Sequence, residues 1–272
     1  MRDVLLPHLP DLFTALHISA PVLFYVIGFI AVTVTALSKA GFGGAIAIGI
    51  PMLLLVTTPR VALGITLPIL LIVDVWVVTA SYKKINYQLL TIMLIFGLLG
   101  HGIGWHYFDY ISNAALTGFI GTMSLITVFL FFKRQWLPSK VTTTAGPPPA
   151  YRTWFRGAFW CTLSGISSFI SVSGGVPLQV FLLGCKIDRT VYIGSAGAFF
   201  FALNLTKVPL YADLGILSAA SFWVSMLLLP AIPLGVILAR WVNNLLTDQQ
   251  FYVAMHSILG LVGLQLLYKA FA

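Results

Sequence analysis

The chain has 272 residues, of which 59% are hydrophobic and only 8% are charged, and its mean hydropathy is +0.99. A soluble domain of this size could not cover so much apolar surface with polar residues. The formal net charge of +8 does not indicate nucleic-acid binding, because the cations lie mostly in short loops between apolar stretches, where they orient membrane helices. The composition predicts an integral membrane protein surrounded by lipid.

Apolar stretches long enough to span a bilayer recur along the chain. They fall roughly at 21–38, 61–81, 88–106, 113–132, 155–171, 189–210, 218–240 and 251–270. Two shorter stretches, 45–57 and 176–184, would rise only about 20 and 14 Å as helices, less than the hydrocarbon thickness of about 30 Å. The pattern predicts an all-α membrane protein with two half-helices.

A glycine break lies at the start of each short stretch. The first break reads SKAGFGG at 38–44, and the second reads SVSGGVP at 171–177. Such breaks free backbone N–H groups, which membrane proteins tolerate only where the segment is packed in protein or lines a polar cavity. Paired interruptions in two halves of a chain indicate the binding site of a secondary transporter.

The chain resembles two copies of one unit. A shift of about 130 positions pairs Gly43-Gly44 with Gly174-Gly175, Gly64 with Gly194, and Asp74 with Asn204. Between the copies lies a long polar segment whose threonines and prolines are typical of a linker. We therefore predict a first transmembrane repeat at 1–132, a cytoplasmic linker at 133–154 and a second repeat at 155–272.

The cations predict the orientation of the copies. If the linker is cytoplasmic and each half-helix turns back to its side of origin, ten cations are cytoplasmic: Lys83, Lys84, Lys133, Arg134, Lys140, Arg152, Arg156, Lys186, Arg189 and Arg240. The other side then has three: Arg2, Arg60 and Lys269. This positive-inside bias predicts inverted repeats with both termini periplasmic. The alternative is a parallel pair of repeats.

Three ionisable residues remain inside the apolar stretches or beside a break: Lys39, Asp74 and Lys207. A charge at the bilayer centre costs at least about 2.5–3.5 kcal/mol on insertion scales, so each of them indicates a function. Lys39 precedes the N-terminus of the first half-helix, where free N–H groups favour an anion. The second break offers donors at the equivalent place: Ser171, Ser173, Gly174 and Gly175.

Together with Gly43 and Gly44, these groups predict a cradle for a small anionic substrate. The alternatives are a Lys39 side chain that reaches towards an interface and glycines that serve close helix packing.

Asp74 and Asn204 lie about midway along equivalent helices. An inverted repeat would bring them together near the midplane, so we expect a hydrogen bond between them. Lys207 follows Asn204 by three residues and shares its helix face. Asp74 is a candidate proton carrier, because burial favours the protonated form of a carboxylate. The alternative is an ion pair between Asp74 and either Lys39 or Lys207.

The remaining reactive residues do not indicate a cofactor or a metal. Cys161 and Cys185 have no C-x-x-C spacing and no histidine cluster, so we interpret them as buried thiols. His101, His106 and His256 are interpreted as packed or interfacial residues, with a proton relay at one of them as the alternative. The sequence also admits a homo-oligomer.

The order of these motifs resembles the TauE/SafE family of sulfite exporters. The resemblance rests on the first break leading to PMLL at 51–54, the second break leading to PL at 177–178, and NLTKVPLY at 204–211. It covers nearly the whole chain. It implies movement of sulfite, organosulfonates or related sulfur oxyanions across a bacterial inner membrane, driven by the proton-motive force. The family often has three or four consecutive glycines, whereas both breaks here have two.

We therefore expect a secondary transporter for a small sulfur anion and not an enzyme. One alternative is a passive anion channel, and another is an intramembrane enzyme that acts on lipid-linked phosphates. Such an enzyme usually needs a carboxylate base with a histidine or arginine cluster, and neither break contains one.

Overall fold

A computed structural model describes residues 9–42, 48–136, 150–185, 187–245 and 247–271, and within these ranges the chain is helical without strands. The first half contains α1 (Leu9–Ala15), α2 (Pro21–Phe42), α3 (Gly49–Leu53), α4 (Pro59–Ser81), α5 (Tyr87–Tyr107) and α6 (Asn113–Trp136). The second half contains α7 (Ala150–Ser171), α8 (Gly175–Gly184), α9 (Arg189–Asp213), α10 (Ala219–Leu228), α11 (Ala231–Leu245) and α12 (Asp248–Phe271). Gly43, Gly44 and linker residues 137–149 lie outside the described residues.

Six of the described helices are long and apolar enough to cross a membrane, namely α2, α4, α5, α6, α9 and α12. The uninterrupted span predicted at 218–240 is instead divided into α10 and α11, with a bend of 41°. Pro230 lies at this break, and proline cannot donate the backbone hydrogen bond that a continuous helix needs. α7 has 22 residues, but it falls short of the six in hydropathy because it carries two arginines and several serines. The protein is an all-α, multi-pass membrane protein.

Each short helix folds back along the long helix before it. Arg156, in the second turn of α7, donates to the carbonyl oxygens of Gly184 and Val180 at the end of α8, at 3.2 and 3.3 Å. In the first half, the start of α3 lies against Thr35 and its end lies against Gly28. Both short helices therefore run antiparallel to their neighbours. The helix in the first half has five residues, fewer than the stretch 45–57 suggested.

The main contacts between helices have counterparts between the equivalent helices of the other half. α4 packs on α9 and α6 packs on α12, so that each pair joins equivalent helices. α5 packs on α7 as α11 packs on α2, and α2 packs on α3 as α7 packs on α8. The α5–α7 crossing is close because glycines meet there: a Cβ on Gly100 would lie 2.2 Å from the carbonyl oxygen of Thr162.

The bundle has two ends. At one end, which we call the Arg60 end, Arg60 at the start of α4 donates to Asp109 after α5 at 3.0 Å. Lys269 of α12 donates there to the carbonyl oxygen of Leu54, just after α3, at 2.9 Å. The other end, the linker end, is where α6 ends and where α7, α9 and α12 begin. The inverted relation of the two halves and the membrane side of each end stay predictions.

Candidate functional site

An ion pair occupies the middle of the bundle. Lys39 near the end of α2 donates from Nζ to Oδ1 of Asp74 in α4. The Asp74 side chain is only 2% exposed and that of Lys39 is 19% exposed. A buried carboxylate is stable only when it is paired and hydrogen-bonded, and the first break brings the required lysine next to it. The structure confirms the pairing of Asp74 with Lys39.

Asn204 of α9 connects this pair to the second half. Its Nδ2 donates to Oδ2 of Asp74 at 2.6 Å, so the predicted hydrogen bond between positions 74 and 204 is confirmed. Lys207, one turn further along α9, donates from Nζ to Oδ1 of Asn204 and to Oγ of Ser168 in α7, each at 3.0 Å. We call Lys39, Asp74, Asn204, Lys207 and Ser168 the Asp74 cluster.

The two glycines of the second break have different surroundings. The carbonyl oxygen of Gly174 accepts a hydrogen bond of 2.6 Å from Ser164, and a Cβ on Gly174 would lie 2.5 Å from the Ser164 carbonyl oxygen. Gly174 is therefore required for packing against α7. A Cβ on Gly175 would meet nothing within 4 Å. Gly175 begins α8, and no side chain among the described residues caps this N-terminus.

A cavity of about 610 Å³ joins these features. Gln135 near the end of α6 and Gln249 near the start of α12 line it at the linker end. Lys39, Asp74 and Gly175 line its inner part. The uncapped N-terminus of α8 and the Lys39–Asp74 pair therefore face the same space, where backbone N–H groups and an ammonium group are available to an anion.

Aromatic side chains fill the bundle between the cluster and the Arg60 end. Phe108, Phe169 and Tyr211 are fully buried, and the Phe169 ring contacts the other two, with centroids 5.9 Å from Phe108 and 5.1 Å from Tyr211. The Tyr211 hydroxyl donates to the carbonyl oxygen of Phe169 at 2.5 Å. We call these three residues the aromatic plug. The cavity therefore reaches the Asp74 cluster from the linker end.

Five predicted site residues among those that the structure describes do not line the cavity, namely Ser171, Ser173, Gly174, Asn204 and Lys207. Ser171 and Ser173 are buried, and their hydroxyls donate to the backbone carbonyl oxygens of Ser167 and Ser171, at 2.9 and 3.2 Å. Their predicted role in substrate binding stays a prediction, but their hydroxyl protons are already engaged. Ser164 and Ser168 were not predicted. They are spaced by four residues on α7 ahead of the second break, and this spacing is the sequence signal that could have identified them.

The histidines lie in three different environments. Oγ1 of Thr206 donates to the Leu203 carbonyl oxygen at 2.8 Å and lies 3.1 Å from Nδ1 of His101. Nε2 of His101 is buried and has no hydrogen-bond partner among the described residues. His256 lines the cavity and stacks on Phe131 with ring centroids 3.9 Å apart. His106 packs edge-on against Tyr107.

The fold and the site define a multi-pass membrane protein whose polar cluster lies at the inner end of a cavity. A model of the family described as sulfite exporter TauE/SafE matches residues 24–266. The chain belongs to this family, which consists of membrane transporters and not of enzymes. No curated protein and no solved structure gave a significant match.

Proposed function

We propose that the protein is a secondary transporter that moves sulfite, or a related sulfur oxyanion or small organosulfonate, across the bacterial inner membrane, coupled to the proton-motive force. The observation that carries this proposal is the cavity that ends on Lys39 and on the uncapped N-terminus of α8. The family description supports a sulfur anion as the substrate.

The chemistry of the inner cavity suits a compact oxyanion. The oxygens of sulfite point away from sulfur in a pyramid, so several donors can reach them from one side. Lys39 supplies a charge-assisted hydrogen bond, and the N–H groups of Gly175 and Val176 lie at the positive end of the α8 dipole. The Cβ-free Gly175 leaves the approach to these N–H groups open. The cavity volume also fits organic tails on a sulfonate, since pockets of about 300–1,000 Å³ hold larger ligands.

A transporter explains the aromatic plug better than a passive channel does. A channel needs a path open at both ends, whereas Phe108, Phe169 and Tyr211 close this bundle towards the Arg60 end. Inverted-repeat transporters alternate access by rocking one unit against the other around a fixed midplane site. The cluster contains residues from both halves, and this supports a site between two units that move against each other.

Counterflow of radiolabelled sulfite in proteoliposomes tests this proposal. We expect the purified protein to exchange external label for internal unlabelled sulfite. Accumulation against a sulfite gradient when a pH difference is imposed would distinguish a transporter from a channel. A protein that lets sulfite equilibrate but never accumulates it would contradict coupled transport.

Lys39→Ala tests the site itself, with the exposed lysine variant Lys83→Ala as the matched control. Loss of a charge-assisted hydrogen bond should weaken sulfite binding by about 1.5–3 kcal/mol, whereas the control should bind as the wild type does. Binding is measured on protein that elutes as a single species and retains its helical circular dichroism. Unchanged affinity in a folded Lys39→Ala protein would remove Lys39 from the site.

A further inference from the structure

The cavity is larger than sulfite requires, and one part of its lining has no role in binding sulfite. Sulfite has four non-hydrogen atoms, whereas cavities of about 300–1,000 Å³ hold drug-sized ligands, and this cavity has about 610 Å³. Lys39 and the N-terminus of α8 supply the groups that attract an anion. A separate part of the lining, which we call the α6–α12 wall, consists of Thr127, Leu130, Phe131, Gln135, Gln249, Tyr252 and His256.

His256 presents a free hydrogen-bond acceptor in the α6–α12 wall. The residue is only 4% exposed, and its ring stacks on Phe131 with an angle of 9° between the ring planes. Nδ1 lies 2.7 Å from the carbonyl oxygen of Tyr252, and since a carbonyl oxygen only accepts, Nδ1 is the donor in this bond. In the neutral ring, Nε2 is then an acceptor. No group among the described residues forms a hydrogen bond with it.

Gln135 supplies a second unpaired polar group in the same wall. It follows Phe131 by one helical turn, so the two side chains share a face of α6, and both line the cavity. Oε1 of Gln135 is buried and has no hydrogen-bond partner among the described residues. A buried polar atom without a partner is costly, and native proteins leave few of them. Two such atoms beside one cavity indicate that a polar group of the ligand completes them.

The chemistry of these two groups favours a hydroxyl group on the ligand. A hydroxyl has one donor and two acceptor positions, so it can donate to Nε2 of His256 and pair with either end of the Gln135 carboxamide. An ammonium group would need an opposite charge in a buried site. Among the described residues that line the cavity the one carboxylate is Asp74, which is paired with Lys39. A methyl group would leave both polar groups unpaired.

We propose that the substrate is a short-chain hydroxyalkanesulfonate, whose sulfonate group binds at Lys39 and the N-terminus of α8 and whose hydroxyl group binds at His256 and Gln135. This proposal rests on the proposed function, and it makes His256 and Gln135 the residues that select among sulfonates. Sulfite and sulfonates share the first part of the site because both present three oxygens on one sulfur atom. The cavity is open at the linker end, which the cations predict to be cytoplasmic, so the substrate enters from the side that export requires.

The test measures how strongly sulfonates inhibit counterflow of radiolabelled sulfite by the full chain in proteoliposomes. The pH is 8, above the usual histidine pKa of about 6.5. 2-Hydroxyethanesulfonate is compared with propane-1-sulfonate, in which a methyl group replaces the hydroxyl, and matched pairs with longer chains cover greater distances across the cavity. At the chain length that fits best, the hydroxylated member should inhibit at about tenfold lower concentration. The ammonium-ended sulfonate of the same length should inhibit less than the hydroxylated one.

Two variants assign the preference to its residues. His256→Phe keeps a ring that can stack on Phe131 but has no acceptor, and Gln135→Met keeps the length of the side chain without the carboxamide. Each should lower the tenfold preference to about threefold or less. The ratio is measured within one variant, so a general loss of binding cancels. Gln265→Met is the matched control, because Gln265 is exposed and does not line the cavity, and it should keep the full preference.

Equal inhibition by both members of every pair in the wild type would overturn the proposal, independently of how the variants fold. Stronger inhibition by the ammonium-ended sulfonate would overturn it as well, and so would a full preference in both variants. Vesicles loaded with the best hydroxyalkanesulfonate should still take up labelled sulfite, since a substrate exchanges, whereas failure to exchange would make the compound an inhibitor only.

The same experiments separate this proposal from the proposed function. Normal sulfite counterflow without a hydroxyl preference would remove the role of His256 and Gln135 and leave the proposed function intact. Absence of counterflow with sulfite and with every sulfonate would instead contradict the proposed function.

Discussion

The two halves share a backbone plan but carry different chemistry at equivalent places. The first half places Lys39 and Asp74 in the wall of the cavity. The second half has Ile170 and Asn204 at the corresponding positions, and neither of them lines the cavity. The first half therefore supplies the charged wall of the open cavity and Phe108 of the plug, and the second half supplies Phe169 and Tyr211.

The short helices show the same division. The end of α8 is held by Arg156 from its own half, through two carbonyl oxygens. The end of α3 is held by Lys269 from the other half, through the carbonyl oxygen of Leu54. Cations are favourable at helix C-termini because they satisfy free carbonyl groups and oppose the helix dipole. Both halves use this stabilisation, but only the second draws the cation from the neighbouring antiparallel helix.

The largest effect is expected from labelling, because access to a membrane-impermeant reagent is all or none. Cysteines introduced at Lys84 and Ser139 should react from the cytoplasmic side, and one at Asp109 should react only from outside. The native Cys161 and Cys185 are buried, so the unmodified chain is the control. Cytoplasmic labelling at Asp109 would contradict the inverted orientation of the halves.

The next effect concerns the Asp74–Asn204 pair, where the halves differ by one charge. Asp74→Asn removes the counter-ion of Lys39, and Asn204→Asp places two carboxylates at hydrogen-bonding distance. Each change should lower the free energy of unfolding by about 3–5 kcal/mol, as measured by denaturation in detergent.

The double variant with Asn at position 74 and Asp at position 204 sharpens this comparison. It restores a single carboxylate, now next to Lys207, so we expect it to recover much of the lost stability. A double variant as unstable as the sum of the single variants would show that positions 74 and 204 are not interchangeable.

Alanine substitutions at the two glycines of the second break should have different effects, one on stability and the other on sulfite binding. Gly174→Ala should lower the free energy of unfolding by about 1–3 kcal/mol, because its Cβ meets the Ser164 backbone. Gly175→Ala should leave that free energy nearly unchanged, since its Cβ enters the cavity, but it should weaken sulfite binding in the same preparation. The sequence predicts a site shared by both breaks, so Gly44→Ala should also abolish transport. Normal binding and transport by Gly175→Ala, together with a defect in Gly44→Ala, would restrict the site to the first half.

The smallest effects are expected at the ends of the short helices. Arg156→Ala should lower the free energy of unfolding by about 1.5 kcal/mol, because it removes two charge-assisted hydrogen bonds from a partly buried site. Lys269→Ala removes one such bond from an exposed site and should cost about 0.5 kcal/mol. Equal losses in thermal denaturation would show that the source of the cation does not matter.

The membrane class, the positions of most helices, the two breaks and the polar residues Lys39, Asp74, Asn204 and Lys207 could all be predicted from the sequence. These features follow from local properties, namely the length of an apolar stretch and the cost of placing a charge within it. The division of span 218–240 could have been predicted in part, because Pro230 is visible in the sequence.

The tertiary structure decided which of these residues meet. In the structure, Asp74 pairs with Lys39 and Asn204, whereas Lys207 has neutral hydrogen-bond partners. Gly174 packs against α7, and Gly175 lines the cavity. The hydroxyls of Ser171 and Ser173 are turned towards the backbone. These contacts depend on the rotation of each helix about its axis and on the points where helices cross. A sequence repeat with a shift of about 130 residues predicts neither the rotations nor the crossing points.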